Sequence, residues 1–309
     1  MPVLHRHRRY APLPDSIVAT IGNFDGVHRG HQALITALKR LAHRYQVPGV
    51  VISFEPLSHE FFRREPSARR LQGVRDKCEA LQSLGVDYIQ ILRFNQRLSA
   101  MTPEAFFQRN IAGKNVRGLV VGHDFRFGAG GRGTVESLRT LCVEAGVELV
   151  VIQAIAEAET TRISSSLLRQ VIEAGDLDRV ARLLGRPYSL CGRVVPGLQL
   201  GRTLGFPTAN LKLSNPNPPL RGVFAAWARI CETGARYRAA VNIGIRPSIR
   251  EGGRRLVCEA HLLDFDGELY GTHMKLDFTH RVRGERAFPN LEDLQRAIAD
   301  DVDVIRHLR

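Results

Sequence analysis

The feature that most restricts this chain is a change of hydrophobic period near residue 185. Up to about residue 155, short β-branched runs alternate with amphipathic stretches. The runs 16–21, 49–54, 87–92, 118–122 and 147–153 read as buried strands. The stretches 30–45, 74–84, 103–111 and 134–145 read as helices. In the first of these, Leu34, Leu38, Leu41 and Tyr45 share one helical face. Such alternation predicts a parallel sheet covered on both faces, with ligands at the carboxyl ends of its strands. Two further helical stretches, 165–174 and 177–184, end at the breaker Gly185-Arg186-Pro187. Beyond it, 188–195, 222–230, 236–243, 256–263 and 274–280 read as strands between Gly, Pro and Asn turns. An amphipathic helix, 291–308, closes the chain. The second half is therefore expected to be a small antiparallel barrel with a terminal helix. The 309 residues divide into two domains, 1–185 and 186–309.

Composition removes several classes. The five cysteines are scattered and form no C-x-x-C pair, which argues against a disulfide framework and a cysteine zinc site. No apolar run approaches the roughly 18 residues of a membrane span. The basic N-terminus has no apolar segment behind it, so it does not read as a signal peptide, and the expected compartment is the cytoplasm. The net charge is +13, but the basic excess is spread over both halves. No basic stripe interleaved with aromatics supports a nucleic-acid groove. A basic surface around anionic small ligands is the better reading. Oligomeric state is left at a monomer or a weak homo-oligomer.

The first constellation follows the strand 16–21. The block GNFDGVHRGHQ, residues 22–32, puts two glycines, an Asp and two His between a strand end and a helix start. Gly22 and Gly26 allow close backbone approach to phosphate. Gly30 lies at the start of a helix whose free N–H groups and dipole favour an anion. His28 and His31, three apart, can face one polyphosphate and stabilise charge there. Two such His can also be part of a metal site, although no third ligand is evident. Later in the same half, Ile163-Ser164-Ser165-Ser166-Leu167-Leu168-Arg169 sets a Ser cluster at a helix N-terminus with an Arg one turn in. By itself this reads as an N-cap; beside H-x-G-H it reads as a second phosphate clamp.

The second constellation is Gly197-x-x-x-Gly201-Arg202-Thr203-Leu204-Gly205-Phe206-Pro207-Thr208-Ala209-Asn210. Its glycines suit a loop over phosphates. Thr208 and Asn210, two apart on an extended segment, face the same way and offer hard oxygens suited to Mg²⁺. A plain Gly/Pro turn leading into a strand is the alternative.

These motifs resemble a known family. H-x-G-H with a late I-S-S-S-x-x-R is similar to the adenylyl- and cytidylyltransferase superfamily. The longer GNFDGVHRGHQ, with Ser53-Phe54-Glu55-Pro56 and Gly122-His123-Asp124-Phe125-Arg126-Phe127-Gly128, resembles the FMN adenylyltransferase module of prokaryotic bifunctional riboflavin kinase/FAD synthetases. The P-T-A-N element, followed by Asn242-Ile243-Gly244-Ile245-Arg246-Pro247-Ser248, Glu259-Ala260-His261-Leu262-Leu263-Asp264-Phe265 and Arg283-Gly284-Glu285-Arg286, resembles the riboflavin kinase domain of the same family. The resemblance implies an α/β Rossmann-like nucleotidyltransferase domain followed by a small antiparallel β-barrel domain with a C-terminal helix.

It also implies site residues. Gly22, Asn23, Phe24, Asp25, His28, Gly30, His31, Ser164, Ser165 and Arg169 would serve the adenylylation nucleotide. Phe54, Asp124 and Phe125 are candidates for flavin or nucleotide contact. The flavin would be held largely by the insert between the second strand and the next helix. In the kinase half, Gly201, Arg202, Gly205, Pro207, Asn242, Gly244 and Arg246 would hold ATP or flavin. Thr208 and Asn210 would hold Mg²⁺, and Glu285 would be the general base. Glu285 can equally be a surface carboxylate paired with Arg283 or Arg286. Phe224 and Ser248 stand where the family commonly has Tyr and Thr.

The implied partners are riboflavin, FMN and ATP, with FMN and FAD as substrate and product. The chemistry of the two steps differs. The phosphate of FMN is already an anion and needs no base to attack the α-phosphorus of ATP. The 5′-hydroxyl of riboflavin is a poor nucleophile until its proton is taken.

Overall fold

The computed structural model describes residues 3–6, 13–62, 69–158, 161–197, 199–247 and 254–308. The strands in chain order are β1 (Val3–Arg6), β2 (Ile17–Ile21), β3 (Gly49–Glu55), β4 (Tyr88–Arg93), β5 (Val116–Gly122), β6 (Glu148–Ile152), β7 (Ala156–Ala158) and β8 (Thr161–Arg162). They continue with β9 (Tyr188–Val195), β10 (Ala209–Leu213), β11 (Gly222–Ile230), β12 (Arg236–Pro247), β13 (Arg254–Leu262) and β14 (His273–Arg283). The helices are α1 (Arg29–Tyr45), α2 (Ser58–Phe62), α3 (Val74–Ser83), α4 (Gln96–Ser99), α5 (Pro103–Asn110), α6 (Val135–Glu144), α7 (Ser165–Ala174), α8 (Leu177–Leu184), α9 (Leu200–Thr203) and α10 (Leu291–His307).

The chain divides into two compact units. One comprises Met1–Ala68 and Lys77–Ser164; the other comprises Arg69–Asp76 and Ser165–Arg309. The sequence suggests a functional boundary at 185/186, so the compact division falls elsewhere. The short segment 69–76 explains part of the difference. It is tied to the barrel by Tyr188 Oη donating to Leu71 O at 2.8 Å, Asn215 Nδ2 donating to Arg70 O at 2.8 Å, and Ser214 Oγ donating to Asp76 Oδ2 at 2.7 Å. Helix α8 packs on β9 and β14 of the same unit.

The first unit is a six-stranded parallel sheet in the order β1-β4-β3-β2-β5-β6. Strands β2 and β3 lie at its centre and are buried along almost their whole length, as their unbroken β-branched runs require. The sequence leads one to expect five strands here. The sixth, β1, lies in the Arg- and His-rich N-terminus, where four residues carry no apolar pattern, and pairs in parallel with β4. Helix α1 covers the sheet through Ile35, Leu38, Leu41 and Ala42. This corrects the expected stripe, because Tyr45 is 38% exposed and its hydroxyl donates to Glu148 at 2.8 Å. Thr102 and Pro103 start α5, and a Thr134/Ser137 capping box starts α6.

The second unit is a closed antiparallel barrel, β10-β13-β12-β11-β14-β9. Five of its strands follow the expected alternation. The sixth, β10, begins inside the P-T-A-N element, where Gly and Pro neighbours hide a strand. Asn290 caps α10, which packs on β12 and β14 and buries Ala297, Val302 and Ile305. Arg238 Nη1 donates to Ile305 O at 2.9 Å and so holds the helix end. Phe224, where Tyr is common in the family, is 1% exposed and packs edge-on against Phe278. Ser248 lies outside the described residues.

Candidate active sites

In the first unit, the loop after β2 forms a strained, backbone-built cradle. Gly22 N donates to Ile52 O at 3.1 Å, and a methyl on Gly22 would press on the Phe24 ring at 3.2 Å. Phe24, Gly26 and Val27 have φ of +48°, +91° and +45°. Two non-glycine residues in the left-handed region, one of them β-branched, persist because both side chains are fully buried and fix the backbone.

His28 is the N-cap of α1. Its Nδ1 accepts from His31 N at 3.3 Å. A neutral imidazole that accepts at Nδ1 carries its proton at Nε2, so His28 is held as an Nε2–H donor. The His28 and His31 rings stack at 3.7 Å, 17° apart. Gly30 lies beneath the His28 ring: a Cβ there would meet His28 Cε1 at 3.1 Å and Ile163 O at 3.6 Å. The start of the I-S-S-S element therefore runs beside H-x-G-H. Ser164 belongs to this unit, whereas Ser165 and Arg169 belong to the other, where Arg169 Nε donates to Arg69 O at 2.7 Å. No group of three or more His, Cys, Asp or Glu suited to a metal exists among the described residues.

Several expected ligands have structural work. Phe24 is core, and Asp25 is 1% exposed within the loop. The Asn23 side chain ties the loop to α2: its Nδ2 donates to Ser58 Oγ at 3.0 Å. Phe125 stacks parallel on Phe127 and packs against the core. Asp124 pairs with Arg162 at 2.7 Å. Burial raises the pKa of this carboxyl, but the hydrogen bond and charge of Arg162 outweigh it, so the group sits below its ordinary value. Phe54 joins an aromatic cluster that sequence reasoning missed. Phe94 makes edge contacts with Phe54, Phe61 and Phe62 at 5.6, 5.3 and 5.7 Å, and Phe62 is 61% exposed. Phe61 and Phe62 lie on α2, in the insert after β3; residues 63–68 of that insert lie outside the described residues.

In the second unit, the G-x-x-x-G loop folds onto P-T-A-N. A methyl on Gly201 would meet Thr208 Oγ1 at 3.1 Å, and one on Gly197 would overlap the Asn210 amide. Only glycine lets the backbone approach these oxygens so closely. Gly205 turns the loop with φ of +84°. Arg202 reaches Glu268 at 4.0 Å.

Two cavities meet at Thr208. One, of about 300 Å³, is lined by Gly201, Thr208, Asn242, Glu259, His261, Arg283, Glu285 and Asp301, with Phe288, Leu294 and Ile298 on its apolar side. The other, of about 280 Å³, is lined by Arg202, Pro207, Thr208, Phe265, Glu268 and Tyr270. Glu285 is seated by Ile245 N, which donates to its Oε1 at 3.2 Å. The carboxylate lies over Gly244, where a Cβ would overlap it. Pairing of Glu285 with Arg283 is not what the structure has: Arg283 makes a bidentate bond to Asp301 of α10, with Nε and Nη2 at 2.9 and 2.8 Å from its two oxygens. Arg286 stacks over Phe288 at 4.6 Å. Arg246 is on β12, with its side chain outside the described part.

His261, Arg283 and Asp301 are cavity residues that sequence reasoning did not single out. His261 Nδ1 bonds Pro207 O at 2.8 Å and so anchors P-T-A-N. The alternation of β13 puts Glu259 and His261 on one face, which is the signal that points to it.

A glycine- and histidine-rich loop between a parallel strand and a helix, and a closed barrel whose cavity is lined by Thr208 and Glu285, are the arrangement expected of a two-site ATP-dependent transferase. Comparison with known proteins agrees. Residues 11–167 match the family model described as FAD synthetase, and residues 184–309 match that described as riboflavin kinase. A bifunctional riboflavin kinase/FMN adenylyltransferase of Pseudomonas fluorescens is 40% identical, over 94% of this chain and 92% of that protein. Its counterpart in Escherichia coli K12 is 39% identical, over 93% and 91%. A crystal structure from Streptococcus pneumoniae, described as a macrolide-efflux protein, matches at a TM-score of 0.82 with 28% identity over 96% of both chains. The chain belongs to the bifunctional riboflavin kinase/FMN adenylyltransferase family, and both activities are its own: riboflavin and ATP give FMN, and FMN and ATP give FAD with release of pyrophosphate. No described helix is long and apolar enough to cross a membrane.

Proposed function

We propose that the two reactions run at the two sites described, with residues 1–185 serving adenylyl transfer and 186–309 serving the kinase. In the kinase, the Glu285 carboxylate takes the proton of the riboflavin 5′-hydroxyl. That oxygen attacks the γ-phosphorus of ATP, and ADP leaves with the electron pair of the broken bond. The meeting of the two cavities at Thr208 carries this reading. The cavity holding Glu285 takes the flavin, with its ribityl end at the base. The cavity holding Arg202 takes the nucleotide. Pro207 and Asn242 line these cavities, and Gly205, Gly244 and Arg246 are assigned to ATP or flavin on their sequence motifs alone.

Oxygens of Thr208 and Asn210, covered by a glycine loop too close for any Cβ, suit Mg²⁺ bound with ATP phosphates. Bound there, the ion would neutralise charge on the transferred phosphoryl group.

In the adenylyl transferase, a phosphate oxygen of FMN attacks the α-phosphorus and pyrophosphate leaves. No protein base is required. His28 donates through Nε2, His31 stacks behind it, and the loop backbone from Gly22 to Gly30 holds the phosphates. Ser164, and on their sequence motif alone Ser165 and Arg169, are assigned to the same nucleotide. The exposed aromatic edge at Phe62, with Phe54 behind it, supports an isoalloxazine contact. The chain acts as a monomer or weak homo-oligomer, without nucleic acid, in the cytoplasm; five separate thiols suit a reducing compartment.

Chromatography of flavins made by full-length variants tests the assignment. Glu285→Ala is expected to abolish FMN formation and leave FAD synthesis from added FMN intact. His28→Ala is expected to do the reverse. Loss of both activities in either folded variant would overturn the two-site assignment.

A further inference from the structure

Lys77 is 1% exposed, although it stands on an amphipathic helix where a lysine would ordinarily reach solvent. Its ammonium lies beneath the nucleotide loop. Nζ donates to Asn23 O at 2.9 Å and to Ser53 Oγ at 3.1 Å. The Ser53 hydroxyl, fully buried, donates to the same Asn23 carbonyl at 3.1 Å. Two side chains from two elements, α3 and β3, thus converge on one backbone oxygen of the loop.

Peptide geometry gives this convergence a consequence. In a planar trans peptide the C=O and the following N–H point in opposite directions. Drawing the Asn23 carbonyl inward aims the Phe24 N–H away from Lys77 and Ser53. Phe24 is also held at φ of +48°, a conformation an L residue leaves when nothing fixes it. Were the Asn23–Phe24 peptide to flip, a carbonyl oxygen would replace an N–H on the outer side of the loop. For an anionic polyphosphate, that exchanges attraction for repulsion.

We propose that Lys77, with Ser53, is a positioning residue for adenylyl transfer: the pair locks the Asn23–Phe24 peptide in the orientation that presents N–H to the phosphates of ATP. The role rests on the assignment of the Gly22–Gly30 loop to ATP. Ser53 thereby gains a function within the Ser53-Phe54-Glu55-Pro56 motif, and Asn23 acts through its backbone rather than its amide.

The test uses the full chain, with ATP and FMN varied separately in FAD synthesis and with riboflavin phosphorylation followed in the same preparation. Lys77→Met keeps the buried stem and removes the charge and donors. The expected result is a loss of about 10²-fold in kcat/KM for ATP, the lower end of what the loss of one preorganised donor costs. The KM for FMN and the kinase rate should stay at their original values. Ser53→Ala, which leaves Lys77 on the carbonyl, should give a smaller loss in the same direction. If Lys77→Met does not fold, as its kinase rate and melting temperature would reveal, Ser53→Ala carries the test.

A folded Lys77→Met or Ser53→Ala chain whose ATP kinetics are unchanged within about twofold overturns the proposal. So does an equal rise in both Michaelis constants, because a general loosening would produce it. His28→Ala separates the two levels. If it too leaves FAD synthesis intact, the assignment of the loop has failed; if it alone abolishes synthesis, only the role of Lys77 has.

Discussion

Gly244→Ala perturbs the kinase at one defined atom. Gly244 lies in β12 and its φ is not in the left-handed region, so alanine fits the backbone. Exchanging glycine for alanine within a strand even favours folding by roughly 0.5–1 kcal/mol. The new methyl, however, would overlap Glu285 Oε1, the far end of a side chain that can turn aside. The carboxylate must therefore move and the backbone need not. Restoring ordinary contact requires a displacement of about 1 Å, which breaks the 3.2 Å bond from Ile245 N that seats the base. A misplacement of about 1 Å costs on the order of 10²-fold in rate, within the 10²–10⁴ of a general base. Riboflavin phosphorylation is thus expected to fall about 100-fold in kcat, while FAD synthesis from added FMN is unchanged. Time courses of the three flavins, separated by chromatography, read both rates from one sample. A kinase kcat within about threefold of the parent would refute the reasoning, because a base displaced by about 1 Å cannot keep its rate.

Asp301→Asn should cost about 3 kcal/mol of stability, since it strips one partner from a largely buried bidentate pair with Arg283; a change below about 1 kcal/mol in denaturant unfolding would show that solvent already screens the pair. Burial pushes the Cys142 thiol up to about 11 and raises Cys258 as well. Brief alkylation of the folded chain near pH 8 should therefore mark Cys231, the half-exposed thiol, and spare these two; mass spectrometry of the peptides decides. Because the folded pKa of Asp124 is depressed, its pairing with Arg162 contributes fully above the ordinary 3.8 and is lost as pH falls through the lowered value. Arg162→Ala should move the Asp124 titration upward, and an unmoved NMR titration would deny the pairing. The fragment 186–309 keeps Thr208, Gly244 and Glu285 and should phosphorylate riboflavin. It lacks segment 69–76, so the bonds made by Tyr188, Ser214 and Asn215 vanish at about 1 kcal/mol each. Its kinase should be inactivated at a lower temperature than that of the full chain, and equal inactivation curves would refute the bracing role of the segment.

The parts legible in the sequence are those whose chemistry lies in one short stretch. GNFDGVHRGHQ joins a strand end to a helix start, so its glycines and histidines mark a candidate phosphate loop without tertiary information. P-T-A-N under a G-x-x-x-G loop is similar: the spacing itself puts Thr208 and Asn210 on one side of an extended segment. What stayed hidden depends on contacts distant in the chain. Lys77 has the sequence context of a surface helix residue, and only the fold carries its ammonium under Asn23, 54 positions away. Ile245 and Glu285 meet across 40 positions. Neither β1 nor β10 has a pattern that period alone can detect, one being too short and basic and the other lying among turn residues. Segment 69–76 reads as part of the first half, yet its carbonyls satisfy buried polar groups of the barrel.

On the proposed assignment, the two sites differ in kind because their nucleophiles differ. An FMN phosphate arrives already charged, so the first site needs donors held at fixed angles, and a backbone cradle supplies them. Such a cradle is only as good as the groups that fix its peptides, and those lie behind the motif, in Ser53 and Lys77. Riboflavin arrives with a neutral hydroxyl, so the second site needs a single carboxylate in one place. There the fixing groups are the Ile245 N–H and the bare surface of Gly244. Sensitivity to substitution should follow this division: it spreads behind the loop in the adenylyl transferase, and concentrates on one side chain and its seat in the kinase.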